Sequence, residues 1–118
     1  MKNRTSIDPT TPTAPVCWQR ESPSACLRIE LECGEIHLLP YNHLISARLT
    51  LGTGGTESLQ ITFSAHEVQI EGHNLRDLLL GIQDFAIKWL RAVPEKYGAV
   101  VPNREGVITS IRVVSAEG

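Results

Sequence analysis

Aromatic side chains make up only 5% of this 118-residue chain, with two each of Trp, Tyr and Phe, so there are few large groups to anchor a core or to stack on bases. Long apolar runs are missing as well. Nothing approaches the roughly 18 consecutive apolar residues of a membrane-spanning helix, and no strict repeat indicates a solenoid. Charge of one sign is also missing: 11 Lys and Arg stand against 13 Asp and Glu, a formal net of -2, which gives no electrostatic reason for binding nucleic acid or a membrane surface. The three cysteines, Cys17, Cys26 and Cys33, form neither a CxxC nor an even framework, which argues against disulfides and leaves reduced thiols as the expectation. At the N-terminus, Lys2 and Arg4 are followed by Thr, Ser, Asp and Pro where a secretory signal would carry an apolar stretch, so a cytoplasmic location is expected.

What the chain does contain is a change of character near residue 25. Residues 1–24 hold four of the seven prolines (Pro9, Pro12, Pro15, Pro23) among Thr and Ser, with no period of 3.6 or 2, and read as a disordered leader ahead of a single domain over 25–118. Trp18 is the anomaly in that stretch. It is either a docking anchor or a solvent-exposed ring.

From Cys26 the period becomes 2. Leu27, Ile29 and Leu31 alternate with Arg28, Glu30 and Glu32, and a two-residue turn at Cys33-Gly34 would set Ile29 opposite Leu38 and Glu30 opposite His37. A third strand carries His43, Ile45, Ala47, Leu49 and Leu51 on one face and runs into the loop Gly52-Thr53-Gly54-Gly55-Thr56. A second hairpin pairs Phe63 with Val68 and Ile61 with Ile70 around Ala65-His66, or around a longer loop from Ser64 to Glu67. After Gly72 the period becomes 3.6. Asn74 fits an N-cap, Lys88 and Arg91 suit a last turn, and Pro94 suits a stop, so the spacing predicts a helix over 75–93. Residues 107–114 would add an edge strand beyond a polar connection. The fold class is therefore α+β: a curved antiparallel sheet of about five strands with one C-terminal amphipathic helix packed on it. This order is similar in layout alone to PH-like domains, a likeness that implies a fold and no function.

Catalytic signatures are sparse. No zinc-type spacing links the four histidines and three cysteines, so no metal and no cofactor is expected. Gly52 to Thr56 lacks the Gly-Lys-Ser/Thr ending of a phosphate loop and leads into a strand. Five basic against eight acidic residues over 25–93 disfavour nucleic acid, and Glu67 with Glu71 forms at most an acidic strip on a solvated strand. One acid-base pair is geometrically available: Glu30 opposite His37, about 5 Å apart at Cβ, would let a carboxylate orient an imidazole. That pair supports the alternative reading of a small-molecule-binding or hydrolytic domain.

The stronger feature lies on the expected helix. Leu80 and Ile87, seven residues apart, form a second apolar stripe, separated by Gln83 and Arg76 from the main arc of Leu75, Leu78, Leu79, Ile82, Phe85, Ala86, Trp89, Leu90 and Val93. A helix packed through one face does not need a second. Segment 107–114, the Trp18 region or another subunit could cover it, and Leu80, Ile87, Gln83 and Trp18 are the expected interface residues. The leading expectation is a small protein-binding or assembly module, a homo-oligomer or the binder of a protein partner, without catalysis.

Overall fold

The computed structural model describes residues 16–21, 23–93 and 106–115. The proline-rich residues 1–15 and the connection over 94–105 lie outside them. Eight strands and one α-helix follow in the order β1 (Trp18–Arg20), β2 (Cys26–Glu30), β3 (Ile36–Pro40), β4 (Leu44–Leu51), β5 (Glu57–Phe63), β6 (His66–His73), α1 (Arg76–Gln83), β7 (Ile87–Arg91) and β8 (Val107–Ser115). They build two four-stranded sheets, β1-β7-β2-β3 and β4-β5-β6-β8, in which only the β2/β7 pair is parallel. The α+β class holds; the single five-stranded sheet does not. The helix is also internal, with two strands after it, unlike the PH-like layout in which the helix comes last.

Both hairpins turn within one residue of the expected loops but with different registers. In the first, Leu31 N–H donates to the Glu35 carbonyl (2.9 Å) and Gly34 N–H to the Leu31 carbonyl (3.0 Å), closing a three-residue loop with Gly34 at φ +101°. The extra loop residue slips the pairing by one, so Leu27 faces Leu39, Ile29 faces His37 and Glu30 faces Ile36. A slip of one exchanges the faces of β3. Leu39 is therefore buried, while Ile36 and Leu38 point to solvent at 60% and 63% exposure. In the second hairpin Ser64-Ala65 is the loop and Ile61 pairs with Val68, Leu59 with Ile70. That slip is of two residues, which leaves the apolar face as expected.

The largest departure is the helix, which ends after Gln83 rather than near Val93. Phe85 N–H bonds to the Ile82 carbonyl and Ala86 N–H to the Gly81 carbonyl, with Phe85 left-handed at φ +55°. This is the Schellman stop, usually made by Gly and here by a bulky aromatic. Its N-terminal cap also differs from expectation: Asn74 sits at φ +57°, and the Glu57 carboxylate, brought from β5, accepts the Leu75 N–H at 2.7 Å. Residues after the stop extend as β7. Trp89 pairs with Gln19 and Ile87 with Arg20, which leaves Lys88 as a bulge, and both Ile87 and Leu90 are fully buried.

The core joins the inner faces of both sheets: Leu27, Ile29, Ile87 and Leu90 from the first, Leu59, Ile61, Phe63, Val68 and Ile70 from the second, with Leu75, Leu78 and Ile82 of the helix region. Among the described residues no polar or charged residue is buried. Burial of side chains of this kind contributes about 1.5 to 3 kcal/mol each. Tyr41, in a 3-10 turn leading from β3 to β4, anchors that connection to the first sheet by donating its hydroxyl to the Ile87 carbonyl at 2.7 Å.

Candidate functional site

The most distinctive surface runs along β4. This strand pairs with β5 on one side, and among the described residues nothing pairs with its other edge. Beside that edge lies a groove of about 290 Å³ between the strand and α1, lined by Leu44, Ala47, Leu79, Leu80, Ile82 and Gln83. Five of the six lining residues are apolar. Outside that lining β4 also exposes Ile45 at 65% and Leu51 at 73%, and Leu80 of the lining is 38% exposed. Ile45 is thrown out by a bulge, because Leu44 pairs with Phe63 and Ser46 already pairs with Thr62. Open edges are normally guarded by charge, proline or brevity. Over its eight residues β4 has no proline and one charge, Arg48, whose guanidinium is engaged with Gln60 Oε1 at 3.1 Å.

The residues named from the sequence divide around this site. Leu80 and Gln83 line the groove. Ile87 does not: it lies in β7 at the centre of the core, because the helical stripe ends with the helix. Trp18 belongs to β1, inside the stretch read as leader, and is half-buried with its ring against Gly106. Leu44, Ala47, Leu79 and Ile82 were missed. For Leu44 and Ala47 the signal in the sequence was the poverty of charge along 44–51, which a count of apolar positions per face does not weigh; Leu79 and Ile82 stood in the main apolar arc of the expected helix.

The Glu30–His37 pair is not formed. The register slip puts the two side chains on opposite faces, so His37 Nε2 donates instead to Glu35 Oε1 at 3.2 Å, and its ring stands 6.2 Å from that of His66. Glu30 pairs with Arg28 at 2.9 Å and lines a cleft of about 140 Å³ with Glu32, Thr109 and Ser110. Among the described residues no three His, Cys, Asp or Glu side chains converge as a metal site.

On the outer face of the second sheet, Arg48, Gln60, Gln69 and Arg112 stand in register across four strands and are hydrogen-bonded with Glu67 between them. Glu67 thus accepts from the Gln60 and Gln69 amides, whose oxygens in turn accept from Arg48 and Arg112. Two titratable groups are displaced by burial: the Tyr41 phenol is pushed up to about 12, and the Cys17 thiol is also raised, with Ile108 N–H donating to its sulfur. Cys26 is half-buried and Cys33 exposed at the hairpin tip, and none of the three cysteines is in a disulfide. No helix among the described residues is long and apolar enough to cross a membrane. No family model matches the chain, and neither a curated protein nor a solved structure shows significant similarity to it.

Proposed function

We propose that this chain is a protein-interaction module that self-associates through the face made by β4 and α1. The observation that carries this reading is the coincidence of an open, nearly uncharged strand edge with an apolar groove along the same strand. Either alone is ordinary surface. Together they supply the main-chain partners and the side-chain pockets that strand addition uses. Three cysteines outside any disulfide, one of them exposed, suit a reducing compartment such as the cytosol.

Sedimentation velocity of the wild type beside Leu80→Glu and Leu51→Lys tests the assignment. Both positions are exposed enough to accept a charge without unfolding the core, which circular dichroism checks. Expected are concentration-dependent association of the wild type and its loss in both variants. A wild type that stays monomeric up to hundreds of micromolar overturns the reading.

A further inference from the structure

Resting on the self-association just proposed, the geometry points to one occupant for the β4 edge: the β4 edge of a second copy, paired antiparallel about a two-fold axis through Leu49. The competing edges are less suited to pairing. β1 has three residues; β3 has five and ends in Pro40, which offers no N–H; β8 borders the cleft that holds the carboxylates Glu30 and Glu32. A strand that fits β4 must be uncharged on its inner face and apolar at alternate positions there. β4 is such a strand, with Ala47, Leu49 and Leu51 on that face and its only charge on the other.

Symmetry, the bulge and the charge then narrow the register. For two sheets to continue with their apolar faces on the same side, facing residues must share a face, so residue numbers across the pair sum to an even value. Centring on Arg48 sets two guanidiniums against each other and places the Ile45 bulge within the pairing, while centring on Ala47 again draws in the bulge. Centring on Leu49 avoids both. It pairs Leu49 with its own counterpart, Ala47 with Leu51, and Arg48 with Thr50, so each strand contributes its straight segment beyond the bulge. The contact is isologous and closes at two copies, an eight-stranded sheet formed from two four-stranded ones.

The test combines charge substitution with cross-linking in a Cys33→Ser background. Thr50 is exposed and faces Arg48 of the second copy twice across the axis, so Thr50→Glu should tighten the dimer and Thr50→Lys weaken it, each by roughly two- to tenfold in Kd. Leu49→Cys should form a disulfide-linked dimer under mild oxidation, as facing cysteines on paired strands can, whereas Ser58→Cys on β5 should not. Opposite shifts with the selective cross-link support the pairing. A dimer in which the two Thr50 variants behave alike and Leu49→Cys does not cross-link overturns this register while leaving self-association standing; a monomeric wild type overturns both.

Discussion

Removing one oxygen atom tests how the connection from the first sheet to the second is anchored. Tyr41 is 2% exposed, its hydroxyl donates to the Ile87 carbonyl at 2.7 Å, its N–H donates to the Ala25 carbonyl at 2.9 Å, and its ring stacks on Phe85 at 5.0 Å. Tyr41→Phe keeps the ring and the stacking. It leaves the Ile87 carbonyl, at the start of β7, without its side-chain donor in a site closed to water, which costs about 1 to 3 kcal/mol. The phenol adds a pH signature. Its folded value is pushed up to about 12 by burial, above the ~10 of an unfolded chain, so the folded state holds the proton longer. Stability from this group is therefore complete below pH ~10 and is lost as pH rises toward ~12, by about 1.4 kcal/mol at pH ~11. Urea unfolding of wild type and Tyr41→Phe, followed by circular dichroism at pH ~8 and pH ~11, should give a gap between the two proteins that closes by about that amount. Other groups titrating in the range cancel in the difference. A gap that stays constant, or is below about 0.5 kcal/mol at pH ~8, refutes the buried hydrogen bond.

Gly72→Ala should be among the most damaging small substitutions. A Cβ there would enter the contact shell of the Val107 carbonyl oxygen and press on Ile108 Cα, backbone atoms that can yield only by shifting β8. Loss of about 2 to 3 kcal/mol is expected in chemical denaturation, with faster hydrogen exchange in β8. Thiol labelling with an aromatic disulfide reagent at mild pH should modify Cys33 quickly and Cys17 only on unfolding, since burial both shields the Cys17 sulfur and raises its pKa. Equal rates for the two in folded protein would refute the placement of Cys17 beneath β8.

The elements most legible in the sequence were those whose side-chain period did the specifying. Alternation in 59–63 and 68–70 marked the inner face of β5 and β6 correctly even though the loop sits elsewhere, because a slip of two leaves faces unchanged. The same alternation around Cys33-Gly34 misled, since a three-residue loop with Gly at positive φ looks in sequence like a two-residue one, and the error of one residue created the Glu30–His37 pair. The helix was too long in the reading because its stop carries no Gly. Phe85 occupies the left-handed position and compensates part of the backbone cost by stacking on Tyr41, 44 positions earlier, a contact no local window contains. Parallel pairing of β7 with β2 is equally invisible to periodicity, since it joins segments about 60 residues apart in sequence through a crossover.

That misread stop also explains why the groove exists. Eight residues of helix extend about 12 Å, whereas eight residues of strand extend about 27 Å, so even laid along β4 the helix α1 covers less than half its length. A helix over 75–93 would have reached about 28 Å and closed the whole inner face. Instead the chain leaves helical geometry at Phe85 and gives Ile87 and Leu90 to the first sheet, which gains its parallel strand while Leu49 and Leu51 of the second stay partly or largely uncovered. Leu80 and Gln83 accordingly reach the candidate interface for a different reason from the one the periodicity offered. They border a face that is open because the helix ends early, and the partner that completes it must bring extended chain with apolar residues at alternate positions, which β4 itself provides.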